Sequence, residues 1–281
     1  MATSARTGHV VCLTFDFDAI STWISRGMVT PTPISRGEFG VVGAQRILQL
    51  LKRYEIASTW FIPGHTLDTY PEMCARVHAE GHEIANHGYL HERPTAVSAE
   101  QEEAALVKGS DAIRRVTGAS PSGYRSPGWD LSPHTIDLLI RHGFLYDSSM
   151  MAHDHQPYRA RRGDTVAVDA LLEFGETTDL IEMPVSWSLS DYQHFEFVNG
   201  PPFVTPGLRR SSDVLDNWVD DVRYLIQTTA CGVLTYTFHP QAIGRGHRML
   251  FLDRLVQALS ALGARFARLD AVARKVASTT D

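Results

Sequence analysis

Short apolar runs and longer runs of helical period alternate from one end of the chain to the other. Strand-like runs, rich in β-branched and aromatic residues, lie at Val10–Phe15, Ala57–Ile62, Glu83–Ala85, Ser122–Arg125, Phe144–Tyr146, Leu180–Pro184, Gly232–Phe238 and Arg265–Leu269. Helical periodicity fills Ala44–Tyr54, Pro71–Glu80, Ala99–Val116, Pro133–His142, Ser212–Thr228, Arg248–Leu262 and Ala271–Ala277. Ser98 followed by Gln101 and Glu102, and Ser132 before Pro133, are helix start signals. Gly81, Gly118, Gly143 and Gly263 each follow a helical run, where a left-handed residue ends a helix. Seven or eight strands, most followed by a helix, predict an α/β fold whose parallel sheet closes into a barrel. No repeat or linker divides the sequence, so a single domain over residues 1–281 is expected.

Three stretches are too long for ordinary connections: Ala19–Gly40 with Trp23, Ser149–Asp169, and Ser188–Ser211 with Pro201 and Pro202. Stretches of this length in a compact fold are lids, binding loops or oligomer contacts. Composition narrows the classes. Hydrophobic residues are 43% of 281, enough for a large core, and the net charge of −6 argues against a nucleic-acid partner. Cys12, Cys74 and Cys231 are odd in number and dispersed, which predicts reduced, buried thiols and a cytoplasmic protein. Met1 to His9 is polar and Asp16 interrupts the apolar stretch after it, so neither a signal peptide nor a membrane span is expected.

The polar residues gather at one end of the predicted strands. Asp16 and Asp18 follow the first, Gly64 and His65 the second, and His87 and His91 the third. Arg125 ends the fourth, Asp147 follows the fifth, Trp187 the sixth and His239 the seventh. The strand starts are mostly uncharged, Glu83 and Arg265 excepted. In a closed α/β barrel the C-terminal strand ends converge on one face, where active sites lie.

Thr14-Phe15-Asp16-Phe17-Asp18 carries the most chemistry. Alternation puts the two aspartates on one face, and two carboxylates at the mouth of a buried strand repel unless a cation or proton lies between them. A solvated turn would account for a lone pair of this kind. His87 and His91, four residues apart, would share one face of a helical turn, within reach of a single ion. Two imidazoles and one carboxylate leave coordination positions open, as a hydrolytic metal centre requires.

His239 before Pro240 is biased to extended backbone and suits a general acid, although a backbone-bonded histidine fits the same pair. Arg125, in Arg125-Ser126-Pro127-Gly128-Trp129, would keep Asp16 ionised and oriented; a surface arginine fits the turn equally. Backbone N–H groups at Gly128 or Trp129 are candidate oxyanion donors. His65, Trp23, Gly128, Trp129 and Trp187 are candidate pocket residues, and His153-Asp154-His155 is set aside as a solvated rim segment.

Taken in order, Thr14-Phe15-Asp16-Phe17-Asp18, His87-x-x-x-His91, Arg125-x-Pro127 and Phe238-His239-Pro240 resemble the polysaccharide deacetylase (NodB-like) family. The resemblance runs from about Val10 to Leu269. It implies a distorted (β/α) barrel of about seven strands, one divalent metal, usually zinc, and metal-assisted hydrolysis of an amide or ester. Asp16 would be the base, Asp18, His87 and His91 the metal ligands, Arg125 the orienting residue and His239 the acid. Gly88 stands where Ser or Thr is common, so a bond bracing that loop is missing; Gly128-Trp129 replaces Tyr-Gly, and Tyr146-Asp147-Ser148-Ser149 stands where a tryptophan-bearing motif is usual. Trp23 and Phe61-Ile62-Pro63-Gly64-His65 look instead like the intracellular branch, similar to peptidoglycan-deacetylase-like and allantoinase- or cyclic-imide-hydrolase-like members, which implies a homo-oligomer, most simply a tetramer. Three functions follow as expectations: N-deacetylation of an acetylated sugar, opening of a small cyclic amide or imide, or a catalytically silent barrel that binds carbohydrate. A capped pocket lined by tryptophan would favour the small ring, and a long groove the glycan.

Overall fold

The computed structural model describes residues 8–200, 203–205 and 207–279. Eleven strands are present among them: β1 (Val10–Asp16), β2 (Thr59–Ile62), β3 (Glu83–Asn86), β4 (Gly123–Tyr124), β5 (Tyr146–Asp147), β6 (Tyr158–Arg162), β7 (Glu176–Glu182), β8 (Val198–Gly200), β9 (Phe203–Thr205), β10 (Val233–Phe238) and β11 (Arg265–Phe266). The main sheet runs β10-β1-β2-β3-β4-β5-β7-β6, and β11 pairs with the first residues of β1. From β10 to β7 every pairing is parallel; β6 joins β7 antiparallel. Seven parallel strands therefore form the distorted barrel that the pattern and the resemblance predict. Its closure is minimal: an isolated bridge joins Ser190 to Thr237, and the Val233 N–H donates to the His155 carbonyl at 2.9 Å.

The three long stretches hold more structure than their composition suggests. The first gives way at Pro31 to a helix, Pro31–Arg53, of which the predicted Ala44–Tyr54 is the second half. Gly37 and Gly43 conceal the helix in the sequence, because glycine lowers helix propensity. Both are required by close approach. A Cβ on Gly37 would lie 2.7 Å from the Ala19 carbonyl oxygen, and one on Gly43 2.0 Å from that of Pro240. This helix thus packs directly on the two segments that follow β1 and β10. The second stretch contains β6, and the third contains a short helix, Asp191–Phe195, and the β8–β9 hairpin. Pro201 and Pro202 lie outside the described residues.

Alternation along β1 separates two environments. Val11, Leu13 and Phe15 face the helices, with Phe15 stacked on Trp60 and Phe238 at centroid distances of 4.7 and 5.4 Å. Burying each such side chain contributes about 1.5–3 kcal/mol. Cys12, Thr14 and Asp16 face inward, where small partners such as Ala85, Thr235 and Thr237 leave room for a long side chain. Cys12 and Cys74 are buried thiols, whereas Cys231 is exposed, against the expectation of burial for all three.

The strand-start exceptions have structural roles. Glu83 is buried and accepts from Thr59 Oγ1 at 2.7 Å, Tyr146 Oη at 2.9 Å and the Asp270 N–H at 3.1 Å. Burial, reinforced by Asp270, pushes its carboxyl up to about 7 despite those donors. Arg265 pairs β11 to the first residue of β1. His153-Asp154-His155 belongs to this same end of the barrel, since its backbone joins the first residue of β10. No described helix is long and apolar enough to cross a membrane.

Candidate active site and metal cluster

Six parallel pairs, Val10↔Val233 to Phe15↔Phe238, set β1 against β10. One step further along, Asp16 Oδ2 lies 3.8 Å from His239 Nε2. On its other oxygen, Asp16 accepts from Arg125 Nη1 at 2.7 Å, and Trp129 Nε1 approaches Oδ2 at 3.3 Å. Arg125 is fully buried. It reaches down the barrel axis to Thr14 Oγ1 at 2.9 Å, its guanidinium lies 4.0 Å over the Phe61 ring, and Nε donates to the Ser148 carbonyl at 2.9 Å. It is not a surface arginine. Burial alone would push Asp16 up, but Arg125, with His87 and His239 beyond it, holds the carboxyl below its usual range.

Asp18, His87 and His91 form a buried cluster whose ligand atoms all lie within 4.8 Å of one another. His87 Nε2 is 3.5 Å from Asp18 Oδ1, and His91 Nε2 is 3.8 Å from Asp18 Oδ2. His87 Nδ1 lies 2.7 Å from the Arg125 carbonyl, which can only accept, so Nδ1 carries the proton and Nε2 offers its lone pair inward. Burial, with His87 as a like-charged neighbour, pushes His91 well below the usual imidazole range and keeps it neutral. Burial pushes Asp18 up against the opposing pull of His87 and His239, and among the described residues its Oδ1 has no hydrogen-bond partner. A buried carboxylate oxygen without a donor, in a cluster with two imidazole nitrogens, fits a divalent cation.

The loop from His87 to His91 is not a helical turn. Gly88 and His91 both have positive φ, +70° and +63°, so an irregular turn rather than helical spacing brings the rings together. The brace expected from a hydroxyl at position 88 is supplied otherwise. Asn86 Oδ1 accepts the Gly88 N–H at 2.8 Å, and Glu92 Oε2 accepts the N–H groups of Tyr89 and Leu90 at 3.1 and 2.7 Å.

His239 is oriented by a residue without any readable signal in the sequence. Asp191, fully buried at the start of its short helix, faces His239 Nδ1 at 2.8 Å and accepts the His239 N–H on both oxygens at 3.0 Å. Burial opposes protonation of His239; the Asp191 bond and charge, with Asp16 and Asp18 further off, outweigh it and raise the imidazole to about 9.

The turn after β4 is held from β5. Ser148 accepts from Arg125, and Ser149 Oγ accepts the Ser126 N–H at 2.9 Å and donates to Asp147 Oδ1 at 2.8 Å. Asp147 therefore braces this turn from inside, its carboxyl pushed by burial up to about 6, instead of lining the cavity. Trp129 has its N–H on the Ser126 carbonyl at 2.9 Å, which removes it as an oxyanion donor.

A cavity of about 220 Å³ opens over these groups. Of the expected pocket residues Gly128, Trp129 and Trp187 line it, while Trp23 and His65 do not. Trp23 is buried against Arg36, 4.7 Å from its ring, and His65 Nδ1 lies 3.1 Å from Ser21 Oγ, in the network that holds the Asp18 backbone through Thr66. Arg26, Arg93 and Tyr192 also line the cavity, and none stands at the end of a predicted strand.

A parallel barrel with an Asp–Arg pair, an Asp–His pair and a buried Asp/His/His cluster at its C-terminal face defines a hydrolase-type centre. Residues 4–146, about half of the chain, match the family described as Polysaccharide deacetylase. A Helicobacter pylori protein named peptidoglycan deacetylase is 36% identical over 262 residues, covering 87% of this chain and 88% of its own. A solved chain from Mycobacterium smegmatis, assigned to the polysaccharide deacetylases, is 30% identical with a TM-score of 0.85, covering 99% of this chain and 93% of its own. A solved allantoinase shares the fold at a TM-score of 0.80 and 21% identity, covering 99% and 93%. The chain belongs to the polysaccharide deacetylase family.

Proposed function

We propose that this protein is a metal-dependent hydrolase of non-peptide C–N bonds that removes the acetyl group from an N-acetylated sugar. The observation that carries the reading is the position of Asp16 Oδ2, 3.8 Å from His239 Nε2 and beside the Asp18/His87/His91 cluster. Those three residues would hold the cation, zinc in this reading, which when bound acidifies water and polarises a carbonyl. Asp16 Oδ2 takes the proton of the attacking water, with Arg125 keeping the carboxylate ionised and aimed. His239 Nε2 then delivers a proton to the departing nitrogen, Asp191 holding its Nδ1–H. We assign the oxyanion contact to the Gly128 N–H. Every position is filled by a competent residue, which disfavours a silent carbohydrate-binding barrel.

A second substrate reading, opening of a small cyclic amide or imide, is favoured by the cavity itself. At about 220 Å³ it is smaller than the usual ligand cavity of about 300–1,000 Å³ and suits one ring better than a polymer. A hydrolysis screen with added zinc against N-acetylglucosamine oligomers, allantoin, hydantoins and succinimide separates the two. Turnover of none of them rejects the hydrolase reading. The free buried thiols Cys12 and Cys74 support a cytoplasmic setting. The apolar residues Val166, Val168, Leu171 and Phe174, exposed between β6 and β7, support a homo-oligomer, which light scattering would detect.

A further inference from the structure

We infer that Asp147 and Glu182 share a single proton, and that this carboxyl pair is the positioning element that holds Arg125 on Asp16. The inference rests on the hydrolase reading and adds two positioning residues to its site. Asp147 and Glu182 stand opposite each other in the parallel register of β5 and β7, and both are fully buried. Each carboxyl engages neutral donors through one oxygen. Asp147 Oδ1 accepts from Ser149 Oγ at 2.8 Å, and Glu182 Oε1 accepts the N–H groups of Ser149 and Met150 at 2.9 and 3.0 Å. The other two oxygens, Asp147 Oδ2 and Glu182 Oε2, are buried without a donor from any other described residue. The two carboxyl groups lie within hydrogen-bonding reach of one another. Arg125 acts on Asp147 through space, because its bonds go to Asp16, Thr14 and Ser148.

Two carboxylates this close cannot both ionise in a buried site. One proton between the two unoccupied oxygens makes one group the donor and the other the acceptor. Both orphan atoms are then satisfied, and one negative charge remains. Burial pushes both carboxyls up, Asp147 to about 6 and Glu182 further, because the Asp147 charge adds to burial. Glu182 is therefore the acid and Asp147 the anion at neutral pH. Tyr124 on β4 and Tyr158 on β6 face the same charges, and burial keeps both phenols neutral. The anion fixes the Ser149 hydroxyl as a donor to Asp147, which leaves its lone pair for the Ser126 N–H. Ser148 in turn donates to the carbonyl of Met183, next to Glu182, while its own carbonyl and hydroxyl accept from Arg125 Nε and Nη2. The pair thus sets where the Arg125 guanidinium lies, and Arg125 sets Asp16.

The test uses the zinc-loaded full chain and whichever amide of the hydrolysis screen it turns over. Difference infrared spectra of wild type against Glu182→Gln at neutral pH should show the C=O stretch of a protonated carboxyl, lost in the variant. Glu182→Leu removes acceptor and donor together, and kcat should fall on the order of tenfold to a hundredfold with KM and zinc content near wild type. Glu182→Gln keeps a carbonyl for Ser149 and Met150 and an N–H for Asp147, so it should recover most of that loss. Asp147→Asn leaves an N–H facing the Glu182 carboxylate and should be similarly mild. The double variant Asp147→Asn/Glu182→Gln sets two amide donors against each other, and its kcat should drop to the Glu182→Leu level, far below the product of the two single effects. Additive single and double effects, or no protonated-carboxyl band, overturn the shared proton. A double variant with wild-type kcat overturns the positioning role. If Glu182→Leu fails to fold, the amide variants, which preserve volume, decide the comparison on their own. Turnover of no screened amide by the wild type sinks the hydrolase reading and the positioning role with it, while the infrared band still decides whether the proton is shared.

Discussion

Asp191 Oδ1 lies 2.8 Å from His239 Nδ1, and the same carboxylate accepts the His239 backbone N–H. One buried aspartate therefore fixes the ring, its tautomer and its charge. His239 is held protonated to about pH 9, so as a general acid it stays loaded throughout the neutral range.

The pH profile of kcat/KM should be bell-shaped. Asp16 must be ionised, and its carboxyl is held low, so activity falls only on strong acidification. His239 must be protonated, so activity is full below its pKa and disappears as pH rises through about 9. Asp191→Asn removes the charge that raises the imidazole, and its alkaline limb should move down toward neutrality. An alkaline limb unmoved by Asp191→Asn would show that His239 does not set it.

Asp16→Asn should lower kcat by about 10²–10⁴-fold, the contribution of a positioned general base. Metal content should stay at the wild-type level, because Asp16 lies outside the Asp18/His87/His91 cluster. Wild-type turnover in this variant would reject Asp16 as the base.

His87→Ala removes one of three donors and leaves the Arg125 carbonyl without its ring N–H. Metal measured by mass spectrometry after zinc loading should fall from one ion per chain to background, and activity with it. Full occupancy in the variant would disprove the ligand assignment.

Glu83→Gln tests the opposite end of the barrel. The folded state holds the Glu83 proton more tightly than the unfolded chain does, so stability is highest below the ordinary carboxylate range and declines as pH rises to about 7. Denaturant unfolding should show this slope in the wild type and a shallower one in Glu83→Gln, with kcat retained. Identical slopes would mean that Glu83 is ionised in the fold throughout.

The parallel strands of the barrel were legible because β-branched runs, helical periods and glycine stops are local signals, whereas the β8–β9 hairpin was not. The Pro31–Arg53 helix was half hidden, since its glycines answer to backbone contacts with Ala19 and Pro240 that no window on the sequence contains. The antiparallel β6 was missed for a related reason: Tyr158-Arg159-Ala160-Arg161-Arg162 is polar, and only its pairing with β7 makes it a strand.

Residue type and place along a strand were enough to single out Asp16, Asp18, His87, His91, Arg125 and His239, because each stands where a strand hands its chain to one common rim. Everything that depends on a partner from a distant segment was decided by the folded chain alone. Asp191 on His239, Ser148 on Arg125, Asn86 and Glu92 around the His87–His91 loop, and the arginines at the cavity mouth come from connections whose local sequence specifies little. Hydrogen bonds and charges act over a few ångströms in space, whereas sequence patterns report only neighbours along the chain.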